Sequence, residues 1–335
     1  VGGIKRGGLG LTRGALAAEL LLIRQLGDGG FHSGEALGQV LGVSRAAVWK
    51  RLQSLSRLGL DVERVRGKGY RLAGGVSLLD PEAITAGLAE AAAGVTLDVR
   101  AETVSTNMDA LAHARDTLPQ PVAVLAEYQT AGRGRRGRAW QMPFAAGLAV
   151  SLAVEFPGGA SRLEGLSLAV GACLAELLVE QGVQGVGLKW PNDILVGERK
   201  LGGVLIELAG DLDASCRAVI GVGLNMSLPQ TLVVDQPVTD LRAELGPLPD
   251  RNVWAVRVLS ALLAMSEQFR EQGFAPFRSR WEAYDLSRDR PVTVLRNATQ
   301  TEGVARGVST TGALYVETPE GMTELHGGEI SLRLG

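Results

Sequence analysis

At 335 residues, with 46% hydrophobic and 21% charged side chains, the chain is long enough for two or three domains, and its composition excludes intrinsic disorder. Two cysteines far apart, Cys173 and Cys216, and three scattered histidines, His32, His113 and His326, exclude a disulfide framework and leave no metal site assignable; a reducing cytoplasm is the expected setting. The net charge of −2 conceals an asymmetry, because residues 1–78 carry 12 Lys and Arg against 5 Asp and Glu while the remainder carries 22 against 31, so that only the first part is expected to meet nucleic acid.

After a glycine-rich start of unclear purpose, Ala15–Leu26 has the periodicity of an amphipathic helix; Glu19 and Arg24 break its apolar run, which argues against a signal peptide or membrane span. Ser33 is placed to cap a second helix, Gly34–Leu41, and Ser44 a third, Arg45–Leu58, across a short Gly42-Val43-Ser44 turn. This is the spacing of a helix-turn-helix. In the third helix Val48, Leu52 and Leu55 face a core, leaving Arg45, Trp49, Lys50 and Gln53 outward for a groove. Val62–Leu72 alternates around a Gly-Lys-Gly turn, a hairpin wing bearing Arg64, Arg66 and Lys68. DNA binding is the expectation, with Ser44 at the helix entry; the alternative is a protein-interaction module of the same shape.

Gly74–Leu79 reads as a linker, and a fresh helix starts at Asp80-Pro81-Glu82. Beyond it, strand-like runs alternate with helices: Thr96–Val99, Val122–Tyr128, Leu148–Phe156, a helix Leu166–Gln181, then Val186–Trp190, Ile194–Val196, Val204–Ala209 and Ala218–Val222. Ser105-Thr106-Asn107 offers two hydroxyls and an amide, a set suited to a neutral polar ring or to a helix cap. Gln129 precedes the densest signal, Gly132 to Arg138, where Arg133, Arg135, Arg136 and Arg138 alternate with Gly134 and Gly137. Glycines let backbone N–H groups approach anionic oxygens and guanidinium forks bind them bidentately, so a clamp for a nucleotide-like ligand is expected, against the alternative of a functionless surface loop. The same glycines spell a dinucleotide fingerprint, but Trp140, Pro143 and Gly147 interrupt the helix that motif needs, and no Walker lysine follows.

Lys189-Trp190-Pro191-Asn192-Asp193 and Arg199-Lys200-Leu201-Gly202-Gly203 each put a lysine at a strand end or turn, so that both can reach one cavity from paired strands unless they are ordinary surface cations. Gly221–Met226 ends a strand with small residues and Asn225, consistent with a flat ligand such as adenine. Two helices, Val253–Glu271 and Pro276–Tyr284, precede a change of character at Arg290-Pro291, after which Val292–Arg296, Thr301–Val308, Leu314–Thr318 and Met322–Glu324 read as a small β-barrel.

Taken in order, Ser105–Asn107, Gln129 with Gly132–Arg138, Lys189–Asp193, Arg199–Gly203, Gly221–Met226 and the terminal Gly327–Arg333 resemble the bifunctional biotin-protein ligase and biotin-operon repressor family, over about Leu20 to Arg333. The resemblance implies an α+β multidomain fold: a winged helix-turn-helix over 1–78, a mixed α/β ligase domain like that of class II aminoacyl-tRNA synthetases over 79–288, and an SH3-like β-barrel over 289–335. It implies a ligase that forms biotinyl-5′-AMP from biotin and ATP with Mg²⁺, then acylates a lysine of a biotin carboxyl-carrier domain. The adenylate-bound form is expected to dimerise and repress transcription at operator DNA. Lys189, Lys200 and Arg135 take the catalytic positions; Ser105, Thr106, Asn107, Gln129, Arg133, Gly134, Arg135 and Lys200 face biotin. Arg133, Arg135, Arg136, Arg138, Trp140, Lys189, Asn192 and Asn225 face ATP or the adenylate. Gly202 stands where the family often has alanine. The alternatives are a ligase whose first unit does not read DNA and a sensor that does not ligate; the paired lysines and the complete arginine loop argue against the second.

Overall fold

A computed structural model describes residues 13–88, 94–116, 120–210, 215–247, 249–296, 299–326 and 330–334. The glycine-rich start up to residue 12 and the motif residues Gly327, Gly328 and Glu329 lie outside them. Three helices, α1 (Arg13–Leu26), α2 (Gly34–Leu41) and α3 (Arg45–Ser54), and a hairpin of β1 (Val62–Val65) and β2 (Gly69–Leu72) build the first unit. Both expected caps form: Ser33 Oγ accepts from Ala36 N at 3.1 Å and Ser44 Oγ from Ala47 N at 3.3 Å. Gly42 closes α2 at φ 62°, a left-handed conformation that glycine adopts at little cost. The third helix is shorter than its periodicity predicts. It gives way at Leu55–Leu58 to a 3₁₀ turn that ends at Gly59, φ 76°, while Leu55 and Leu58 still reach the core.

That core is not closed by residues of the first unit alone. Phe144, Ala145 and Tyr128 from the middle of the molecule pack with Leu22, Leu26 and Leu72. Beneath this contact Arg251, 2% exposed, ion-pairs with Glu127 and donates to the carbonyls of Gly147 at 2.9 Å and Ser77 at 3.0 Å. The linker, two strand ends and a helix start meet there.

The central sheet follows α4 (Pro81–Leu88). Its strands are β3 (Thr96–Arg100), β4 (Val122–Ala126), β5 (Gly147–Pro157), β6 (Val186–Lys189), β7 (Asp193–Val196), β8 (Arg199–Gly210) and β9 (Ser215–Asn225). They lie in the order β3-β4-β5-β9-β8-β7-β6, antiparallel except for β3 with β4. Helix α5 (Thr106–Asp116), which the sequence suggested only as a cap, lies on one face. Helices α6 (Leu166–Glu180) and α8 (Arg251–Gln272) cover the other, with α7 (Leu241–Leu245) and α9 (Ala275–Glu282) completing the set.

Strand periodicity decides what each face can do. On β5, Leu148, Val150, Leu152, Val154 and Phe156 enter the main core, each worth about 1.5–3 kcal/mol when fully buried. Their neighbours Ala149 and Ser151 point the other way, as do Gly221 and Gly223 on β9, between Ile220, Val222 and Leu224. One face is therefore packed solid, while on the other the small residues Ala149, Ser151, Gly221 and Gly223 leave room beside the part that α5 covers.

The chain ends in a five-stranded antiparallel sheet of order β13-β12-β11-β10-β14. Its strands are β10 (Pro291–Arg296), β11 (Thr299–Val308), β12 (Leu314–Thr318), β13 (Gly321–Leu325) and β14 (Ile330–Leu334), the last a strand the reading of this region did not foresee. Trp190, 2% exposed, ties this sheet to the centre by donating from Nε1 to Gly312 O at 3.1 Å.

Candidate active site and nucleic-acid face

Small residues on the open face of the sheet leave a cavity of about 840 Å³. Of the predicted ligand-facing residues, Ser105, Thr106, Asn107, Gln129, Arg133–Arg136, Arg138, Trp140, Lys189, Asn192 and Lys200 all line it. The dinucleotide alternative fails on geometry, because β4 runs through the arginine loop directly into antiparallel β5, with a single 3₁₀ turn at Arg135–Gly137 where a helix would be needed.

The loop is folded back on itself. Arg136 at φ 58° and Gly137 at φ 70° bend it in the left-handed region, a conformation a non-glycine residue holds at a cost of about 1–3 kcal/mol. Gly134 N then donates to Arg138 O at 2.8 Å and Trp140 N to Gly132 O at 2.8 Å. Arg135 reaches inward and donates from Nη1 to Asn192 Oδ1 at 3.4 Å; burial pulls its guanidinium below the usual arginine range, against the pull of Asp193.

Chemically the cavity has two ends. At the neutral end Gln129 Oε1 accepts from Thr106 N at 2.9 Å and from Thr106 Oγ1 at 3.2 Å. Ser151 Oγ lies 2.8 Å from Thr106 Oγ1 and 2.6 Å from Asn107 Oδ1. A side chain at Gly221 would meet Asn107 Oδ1 at 2.2 Å, so glycine is what lets that amide sit against the sheet. Two residues along β9 the lining becomes cationic. Gly223 underlies Trp140, Lys200 Nζ stands 5.7 Å from the Trp140 ring, and Lys200 is paired with Asp193 Oδ1 at 2.7 Å. Trp140 Nε1 is buried with no hydrogen-bond partner among the described residues, a donor left for a ligand.

Two expectations change. Lys189 and Lys200 are not on paired strands: β7 separates β6 from β8, and both lysines nevertheless line the cavity. Asn225 does not line the cavity; its Nδ2 donates to Lys200 O at 3.2 Å and Thr239 O at 2.9 Å, bracing the turn that carries Lys200. Ser44 caps α3 as expected, its Oγ accepting from Ala47 N. The motifs also left residues out. Ser151, Val233–Gln236 and Leu295 line the cavity as well, the last from the C-terminal sheet. Val233 is 83% exposed, on the stretch between β9 and α7.

On the first unit Arg45, Trp49, Lys50, Arg64, Arg66 and Lys68 are all exposed. Arg64 lies 5.1 Å from the Trp49 ring and Tyr70 5.9 Å from it, which joins the wing to α3.

Comparison with known proteins agrees with this geometry. Residues 101–225 match the biotin/lipoate A/B protein ligase family, residues 18–71 an HTH domain and residues 289–333 the biotin protein ligase C-terminal domain. The bifunctional ligase/repressor BirA of Escherichia coli is 41% identical over 316 residues, covering 94% of this chain and 97% of that protein. The chain belongs to the bifunctional biotin ligase/repressor family. The BirA of Bacillus subtilis is 30% identical over 96% of this chain and 99% of its own length. Among solved structures, the biotin protein ligase from Aquifex aeolicus in complex with biotin and ATP superposes with a TM-score of 0.60 at 29% identity, covering 72% of this chain and 99% of that one. The Aquifex chain thus matches most of this protein while leaving over a quarter of it uncovered, whereas the BirA relatives span nearly all of it.

Proposed function

We propose that the protein is an ATP-dependent biotin-protein ligase of the cytoplasm and a biotin-responsive transcriptional repressor. The observation that carries the reading is the union, in one cavity, of a neutral hydrogen-bonding end and a cationic end to which the arginine loop, Lys189 and Lys200 contribute from separate stretches of chain. Biotin's ring fits the first and its carboxylate meets ATP at the second. There the carboxylate attacks the α-phosphate and pyrophosphate leaves, giving biotinyl-5′-AMP; the amine of a carrier-domain lysine then attacks the acyl carbon, forming the amide and releasing AMP.

The barrier to the first step is repulsion between a carboxylate and a phosphate. Fixed cations at the meeting point lower it, since they act more strongly on the charge that develops than on the ground state. Arg135, Lys189 and Lys200 are the catalytic residues in this scheme, Arg133, Arg136 and Arg138 the clamp, and Trp140 the cover over the reactive anhydride. Mg²⁺ arrives on the phosphates of ATP. That ion prefers phosphate and water to a protein cage.

The first 78 residues form the DNA-reading unit, 79–288 the catalytic one and 289–335 the C-terminal one. Adenylate binding favours a homodimer that holds operator DNA through Arg45, Trp49, Lys50 and the wing. No helix among the described residues is long and apolar enough to cross a membrane. Incubation with ATP, Mg²⁺ and biotin should yield biotinyl-AMP and label a carrier domain; failure to form the adenylate would falsify the ligase assignment. A gel shift on genomic fragments, strengthened by biotin with ATP and weakened by salt, tests the repressor. Ligation without any shift would leave a ligase whose first unit does not read DNA.

A further inference from the structure

Glu207, on β8, belongs to none of the motif segments, yet it borders the neutral end of the cavity. Its Oε2 accepts from Asn107 Nδ2 at 2.8 Å, and its Oε1 lies 3.7 Å from Arg133 Nη1. A carboxylate accepts hydrogen bonds and cannot donate them, so it decides which end of the Asn107 amide faces it. Nδ2 turns to Glu207 and to Leu205 O at 3.4 Å, leaving Oδ1 against Ser151 and the bare backbone of Gly221. Ser151 is fully buried and has one proton to give, and Asn107 Oδ1 at 2.6 Å is its nearer acceptor. Farther along, Gln129 Oε1 is engaged by Thr106, so the Gln129 amide must offer its NH₂ elsewhere.

We propose that Glu207 is a positioning residue that sets the donor and acceptor polarity of this end, acting through Asn107, so that the site selects a ring carrying both N–H donors and a carbonyl acceptor, a cyclic urea. The inference rests on the ligase reading above and names what enforces its choice of substrate. Without Glu207 the Asn107 amide loses the acceptor-only partner nearest its Nδ2. A buried polar group presenting the wrong end to a ligand leaves a hydrogen bond unmade, and a site built around such pairing discriminates through that loss.

The test is calorimetric titration of the full-length protein with biotin and, separately, with ATP. In Glu207→Ala the Kd for biotin should rise at least about tenfold, while the Kd for ATP, bound at the cationic end, stays within about twofold and shows that the variant is folded. Glu207→Gln keeps an acceptor oxygen but adds N–H donors that can face either end of the Asn107 amide, and should bind biotin with an intermediate Kd, about threefold above wild type and below that of Glu207→Ala. Unaltered biotin affinity in Glu207→Ala would overturn the proposal. So would an equal loss in both variants, which would mean that the pairing with Arg133 acts rather than the orientation of Asn107. If the wild-type protein took up neither biotin nor ATP, the ligase reading itself would fall, and this inference with it.

Discussion

Replacing Arg251 by methionine tests whether the buried joint beneath the first unit holds the molecule together. The Arg251 and Glu127 side chains are 2% and 5% exposed. Methionine fills much of the volume but forfeits the ion pair and the two bonds to Gly147 O and Ser77 O. Glu127 is left with the Leu79 amide at 2.6 Å and no countercharge. Removing one member of a buried pair costs about 3–5 kcal/mol, because the abandoned charge stays desolvated. At about 2–4 °C per kcal/mol for a chain of this order of size, the melting temperature should fall by about 6–20 °C. Urea unfolding followed by tryptophan fluorescence and by far-ultraviolet circular dichroism gives the free energy, and coincident transitions establish that a single value applies. The double variant Arg251→Met with Glu127→Gln should recover about 1–3 kcal/mol of that loss, since both charges leave together. A single-variant loss under about 1 kcal/mol, or strict additivity of the two changes, would refute the argument.

Arg135→Gly should let the adenylate escape, seen as biotin on bystander lysines of an unrelated protein; labelling confined to the carrier domain would reject the clamp. Lys200→Ala should slow adenylate formation by about 10²- to 10³-fold in pyrophosphate-release kinetics, and a wild-type rate would move the chemistry elsewhere. At Gly223 a Cβ would lie 2.6 Å from Trp140 Cε2, so Gly223→Ala must displace the indole. That overpacking costs about 1–3 kcal/mol and should weaken adenylate retention; unchanged Trp140 fluorescence and retention would contradict it. Burial pushes the Cys173 thiol up to about 11, so at pH 8 its thiolate is scarce and alkylation should run about 10²-fold slower than for an exposed cysteine. Rapid modification of Cys173 in the folded protein would show that this helix face opens.

The sequence by itself determined everything that depends on neighbours along the chain. Ser33 and Ser44 announce the starts of α2 and α3, because a hydroxyl three residues before an orphan amide is a local geometric fact. The apolar alternation of Leu148–Phe156 marks a strand, and the arginine loop was legible because seven consecutive residues carry it. Tertiary structure decided what depends on which strands lie side by side. Ser151 and Glu207 look like ordinary strand residues until the β5–β9–β8 register sets Ser151 opposite Gly221 and Gly221 opposite Leu205. Asn225 was drawn to adenine by its motif, and only the fold revealed two backbone carbonyls already claiming its amide. Arg251 was invisible for the same reason: its partners lie 104 to 174 positions away, and burial that strips a charge of water is a property of the packed whole.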